Sequence, residues 1–259
     1  MTQTLVGKTA LVTGATSGIG RAYAEVLAHR GMDLVIVGRN AQRLSEVADE
    51  LSEETGARVE VLVADLADRD QINIVAQRAA REDIGLVVNN AGYGLATAFI
   101  DGDVDAEQQL LDVLVTAVMR ISHAALPGLI ARNNGGIINV SSVAGWLSSG
   151  TYSAAKSWVT TFSESLAMQV RDMDTHVMAV CPGFTRTEFQ ERAGMRTESV
   201  PDYLWLDAFH VVEESLTDFA AGKPVSVPSV QYKALGLVAQ YLPRPLVRAI
   251  SIFERNYRD

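Results

Sequence analysis

With a single cysteine, Cys181, no disulfide can close within the chain, and the fold has to rest on its core. Histidine is also scarce. His29, His123, His176 and His210 stand far apart, without the spacing of a metal site, and no metal is expected. No block of lysine and arginine occurs, and 31 acidic against 22 basic residues give a net charge of −9. That balance excludes nucleic acid as a partner, because phosphate backbones require clustered cations. No uninterrupted run of about 18 apolar residues exists, so no integral membrane span is expected. The opening residues Met1 to Lys8 lack the charged and apolar regions of a signal peptide. These absences lead to the expectation of a cytoplasmic protein.

What the chain does have is 48% hydrophobic residues, arranged as brief β-rich runs between helix-length segments. Thr9–Thr13, Leu34–Val37, Val59–Val63, Leu86–Val88, Gly136–Val140, Val177–Val180 and Val225–Val227 read as strands ending in turn residues. Nearly continuous apolar strands alternating with helices require a parallel sheet covered on both faces. The expectation is therefore one α/β domain over residues 1–259, a doubly wound parallel sheet of the Rossmann type with about seven strands. Its core covers about residues 5–228, and a helical extension covers 229–259. In that extension residues 235–242 and 246–253 read as two short helices split at Pro243 and Pro245. The helical stretches 106–132 and 152–172 are apolar around most of their circumference, more than one sheet face needs. They point to a subunit interface, hence a homodimer or homotetramer.

The first strand runs into Thr13-Gly14-Ala15-Thr16-Ser17-Gly18-Ile19-Gly20 and then directly into a helical run. Glycines at 14, 18 and 20 allow a sharp turn and close approach of a pyrophosphate, which the following helix N-terminus favours. Gly-rich turns are common, but this one sits between a first strand and a helix, the setting in which the pattern signals a dinucleotide. At the end of the second strand stands Arg39, with Arg43 nearby, where an acidic residue would accept a ribose 2′-OH. An arginine there pairs a 2′-phosphate instead, so NADP is expected over NAD, with Thr16 and Ser17 adding hydroxyls. Asp65, followed by Leu66 at the end of the third strand, is placed either to accept from an adenine amino group or to cap the next helix.

Tyr152 and Lys156 lie one helical turn apart on one face. A free phenol titrates near 10, and a neighbouring cation brings it toward the working range of a general acid/base. The spacing alone is common. It gains weight from three groups at strand ends, the edge at which open α/β sheets bind ligands. These are Asn89-Asn90-Ala91-Gly92, Ser141-Ser142, and the run Pro182-Gly183-Phe184-Thr185-Arg186-Thr187.

Together these motifs resemble the short-chain dehydrogenase/reductase family over about residues 5–228. The resemblance implies a hydride-transfer oxidoreductase acting on a hydroxyl/carbonyl pair. It makes Tyr152 the acid/base, and Lys156 the residue that lowers the tyrosine pKa and holds the nicotinamide ribose. Ser142 would hydrogen-bond the substrate oxygen, Thr187 the carboxamide, and Asn90 would support the adenosine half. Cofactor contacts are thus expected from Gly14, Thr16, Ser17, Gly18, Ile19, Gly20, Arg39, Asp65, Leu66, Asn90, Ala91, Gly92, Tyr152, Lys156, Pro182, Gly183, Thr185 and Thr187. Two departures stand out. By register the family's relay asparagine in its fourth helix falls on Leu114, and the spacing from Ser142 to Tyr152 is short. The first leaves open a second reading, an NADP(H)-binding sensor or scaffold with little catalysis. Cys181, at a strand end before Pro182, reads as a small buried side chain rather than a nucleophile. Between Glu188 and Ala208, Phe189, Met195, Tyr203, Trp205 and Leu206 form an irregular, partly apolar segment suited to covering a substrate, which is expected to be an apolar carbonyl or alcohol.

Overall fold

Seven strands line up in one parallel sheet in the order β3-β2-β1-β4-β5-β6-β7. They are β1 (Thr9–Thr13), β2 (Asp33–Gly38), β3 (Val59–Val63), β4 (Ile84–Asn89), β5 (Gly136–Val140), β6 (His176–Val180) and β7 (Val225–Ser226). The computed structural model describes residues 7–195 and 200–241, the last five by backbone alone. The expected doubly wound sheet is the one observed. Its strand order reverses between β1 and β4, which opens a crevice at their carboxyl ends, the place where such sheets bind ligands.

Alternation along each strand feeds two cores. Ala10, Val12, Leu34, Ile36, Val88, Ile138 and Val180 face α1 (Gly18–His29), α2 (Ala41–Thr55) and α7 (Ala208–Ala220). Leu11, Val35, Val37, Val87, Ile137 and Val177 face α3 (Arg69–Ala79) and the long helices α4 (Val104–Ala131) and α5 (Gly150–Gln169). The inner strands β1 and β4 are buried along their whole length, as a sheet covered on both sides demands. Edge strand β3 is only partly covered, and Val63 is exposed.

Asp103 starts α4 by accepting from the Asp105 amide, two residues ahead of the expected boundary. A π turn at Asp112–Thr116 interrupts the regular ladder at Leu114. By length and composition α4 passes the test for a membrane span, although the sequence has no uninterrupted apolar run. One such helix is weak evidence, because a core helix passes the same test. Here Val113, Ala117, Ile121, Ala125 and Leu129 pack into the second core.

Beyond β7 a helix α8 occupies Val230–Tyr241, beginning earlier than the expected residue 235. Its start is set by Ser229, which turns the chain at φ +80 and donates its amide to Glu214 Oε2. The second expected helix, 246–253, lies outside the described residues.

Candidate active site

The glycine turn is shaped by the protein's own contacts. Gly14 and Gly18 adopt positive φ (68° and 57°), which favours glycine. Gly20 is needed for another reason: a Cβ there would fall 2.2 Å from Gly14 O and 2.3 Å from Asn90 Nδ2. Asn90 leaves the end of β4 and donates from Nδ2 to Thr13 O (2.9 Å) and Gly14 O (3.3 Å). Thr13 Oγ1 in turn accepts from the Asn90 and Ala91 amides. The loop, the start of α1 and the end of β4 are thereby interlocked, leaving the α1 N-terminus facing the crevice. Ser17 stands at the N-cap of α1 without a side-chain capping bond, and its Oγ accepts from Arg192 Nη1 at 3.4 Å. Thr16 and Ile19 complete the loop, both half-buried.

Arg39, one residue past β2, is exposed and makes no hydrogen bond or ion pair among the described residues. Arg43 behaves differently and pairs with Glu188 at 3.5 Å. Glu188 also pairs with Arg192, so a chain of charges runs from α2 to α6 (Phe189–Arg192) and on to the glycine turn. Asp65 is half-buried and accepts from the Ala67 amide at 3.0 Å. The cap of α3 is Asp68 and not Asp65, so the helix-cap alternative for Asp65 is corrected. Leu66 points into the second core.

On the catalytic side β5 delivers two serines to opposite environments. Ser141 is buried and its hydroxyl bonds the Lys156 carbonyl and Thr160 Oγ1, both at 2.7 Å. Ser142 is half-buried, and its Oγ caps the short turn Val143–Trp146 by accepting from the Ala144 amide at 3.1 Å. That cap uses an oxygen lone pair and leaves the O–H as a donor. Tyr152 and Lys156 lie in the first two turns of α5, with Lys156 Nζ 5.7 Å from the centre of the phenol ring. Lys156 is 5% exposed and donates to Val140 O at 2.7 Å. Burial holds its ammonium down to about 8.

Leu114 is buried at the π turn with Leu110 and Ala155. A Cβ on Gly92 would stand 2.8 Å from Leu114 Cδ2 and 3.7 Å from Lys156 Nζ. At this point α4 therefore offers a methyl group beside the ammonium, where the family resemblance implies an amide.

The turn after β6 crosses the crevice from the other side. Pro182 accepts from the Val143 amide, and Thr185 is buried, donating to Gly183 O and pairing with Leu206. Thr187 packs its Cβ 3.0 Å from the position a Cβ would take on Gly18. Gly183 has no room for a side chain because the Tyr232 ring lies 1.9 Å from where its Cβ would be. Sequence reasoning tied Gly183 to the cofactor and passed over Tyr232, which carries no motif. It also left Phe189 unplaced within an irregular segment. Phe189 meets the Tyr152 ring at 5.7 Å and forms an apolar wall beside it. Cys181 is buried against Thr160, and burial pushes its thiol up to about 11, which leaves it a poor nucleophile.

Among the described residues no three His, Cys, Asp or Glu side chains gather as a metal site. The arrangement instead places the glycine turn after β1 and the Tyr152, Lys156 and Ser142 side chains after β5 at the same sheet edge, with β4 between them. Residues 8–197 match the family model described as short chain dehydrogenase. An uncharacterized oxidoreductase of Staphylococcus saprophyticus is 32% identical over 188 residues, covering 71% of this chain and 80% of that protein. Very-long-chain 3-oxoacyl-CoA reductase of Homo sapiens is 33% identical over 190 residues, 71% of this chain but only 61% of that protein. Among solved structures, a short-chain dehydrogenase from Sphingobium yanoikuyae in complex with NADPH superposes with a TM-score of 0.82 at 32% identity, covering 90% of this chain and 94% of that one. The bulky-bulky ketone specific alcohol dehydrogenase from Comamonas testosteroni gives 0.78 at 31%, covering 90% and 92%. The chain belongs to the short-chain dehydrogenase/reductase family of NAD(P)-dependent oxidoreductases.

Proposed function

We propose that this protein interconverts a ketone or aldehyde and its alcohol using NADP(H), with Tyr152 as the acid/base. The observation that carries the reading is the buried Lys156 ammonium held beside the Tyr152 ring, at the same sheet edge as the glycine cradle. The cradle fits a dinucleotide. The loop backbone at Gly14 and Gly18 bears no side chain, and the α1 N-terminus offers amide donors to phosphate. Arg39, exposed and unpaired among the described residues, fits a 2′-phosphate, and no carboxylate stands at that strand end to prefer a 2′-hydroxyl. NADPH is also present in the Sphingobium yanoikuyae structure. When bound, the nicotinamide supplies or takes up hydride.

The chain's own residues handle the proton and the oxygen. Ser142 donates from its hydroxyl to the substrate oxygen and polarises the carbonyl. Tyr152 then gives its phenolic proton to that oxygen during reduction, or takes it back during oxidation. Lys156 stabilises the resulting phenolate through its nearby charge, which counts for more where water is excluded. Phe189 supplies apolar surface at this point and fits a largely apolar carbonyl substrate. The names of the human reductase and the Comamonas enzyme, which refer to a very-long-chain and a bulky-ketone substrate, support the same class. Exposed Met168 on α5 and exposed Met119 on α4 support a homodimer or homotetramer built through these helices.

The test is NADPH oxidation over a panel of apolar ketones and aldehydes. Tyr152→Phe is expected to lose at least about 100-fold in turnover, far more than it loses in NADPH affinity. Full activity in that variant would remove Tyr152 from the mechanism.

A further inference from the structure

The phenol of Tyr232 meets the cofactor turn from the C-terminal helix. Tyr232 is 3% exposed, and its ring lies flat on Gly183. Its oxygen accepts from the Phe184 amide at 3.0 Å and donates to Leu204 O at 2.8 Å. Phe184 lies on the chain leaving β6, and Leu204 on the chain returning toward α7. The two segments already touch through Leu206 N to Phe184 O and Arg186 N to Leu206 O. One side chain therefore ties the outgoing and returning segments together. Three residues beyond Phe184, Thr187 rests against Gly18 of the phosphate loop. On the next turn of α8, Gly236 packs against the Trp146 ring, in the turn that follows Ser142.

We infer that Tyr232 is a positioning residue that sets how tightly the protein holds NADP(H). It acts through Phe184 and Thr187 by fixing the 182–187 turn against the glycine loop. The inference rests on the NADP(H) reading proposed above. Burial obliges the hydroxyl to find partners, and the choice of partners carries the inference. Tyr232 spends both hydrogen-bonding functions of its hydroxyl on backbone that leads to the cofactor crevice.

Tyr232→Phe keeps the ring over Gly183 and removes both bonds. NADPH affinity, read from cofactor fluorescence on titrating the full chain, is expected to fall about tenfold, the effect of one to two buried hydrogen bonds. In the free protein, amide exchange is expected to rise in residues 183–192 and 200–207 and stay unchanged in β1 and α1. Wild-type and variant binding NADPH equally would overturn the positioning role, whatever happens to thermal stability. Unchanged exchange in those segments would overturn the clamp itself. If the variant fails to fold, the wild type decides: the Phe184 amide must be protected, and more so with NADPH, whereas loop-like exchange there refutes the inference. Absence of any NADPH binding by the wild type is a separate failure, that of the proposed function, and the exchange comparison still judges the clamp.

Discussion

Replacing Lys156 by methionine keeps an unbranched stem of similar length and removes the ammonium. In the native chain that ammonium is buried, holds one hydrogen bond to Val140 O, and has its pKa lowered from 10.5 to about 8 by burial. Between those values the unfolded chain binds the proton and the folded chain does not, so stability rises with pH across the window. It is lost as pH falls through about 8, where the buried group must take up charge. A displacement of that size is worth about 3 kcal/mol, most of which is regained between pH 7 and pH 10. The methionine variant has no such titration, and carrying Tyr152→Phe in both proteins removes the one group whose titration Lys156 would alter. Urea unfolding of this pair from pH 7 to 10 is therefore expected to show the Lys156 protein gaining about 2–3 kcal/mol on its methionine counterpart. The Val140 carbonyl orphaned in the variant costs about 1–3 kcal/mol, but as a constant offset that cannot imitate a slope. Parallel curves would mean that the ammonium is solvated and would refute the account of how Lys156 and Tyr152 are coupled.

Two further substitutions probe the cofactor end. Arg39→Ala is expected to raise KM for NADPH about 10- to 100-fold and leave KM for NADH within about twofold, since only the 2′-phosphate loses a charge-assisted partner; equal effects on both would show that Arg39 does not read the phosphate. Gly20→Ala places a methyl 2.2 Å from Gly14 O. It is expected to cost more than about 2 kcal/mol in denaturant unfolding and to weaken NADPH binding. A variant of native stability would show that the loop yields freely.

The sheet was legible because its inner strands are buried on both faces and so read as apolar runs. The errors fall at strand ends: Asp33 opens β2 and His176 opens β6 without a β signal, β4 begins earlier than expected at Ile84, and β7 stops at Ser226 rather than Val227. Helix α8 was placed late because its first turn is fixed by Glu214 on another helix, a contact outside any local pattern. The proposed catalytic pair follows from an i, i+4 spacing and the glycine turn from its position, both being local features. The π turn at Leu114 leaves no trace in the apolar periodicity. Tyr232 was illegible for a stronger reason: its partners Gly183, Phe184 and Leu204 are distant in sequence, and a lone tyrosine on a helix carries no information about them. Phe189 likewise gains its meaning only once the turn after β6 brings it to Tyr152.

The interlock of Thr13, Gly14, Gly20 and Asn90 has a consequence for how this site can change. Because the cradle is shaped by protein contacts alone, its form exists before any ligand arrives, and little ordering entropy is lost on binding. Arg39, the residue proposed to discriminate between the two nicotinamide cofactors, stands outside that interlock and supports none of it. Cofactor choice is therefore separable from cofactor affinity, and a lineage or an engineer can rewrite the one position without reopening the other four.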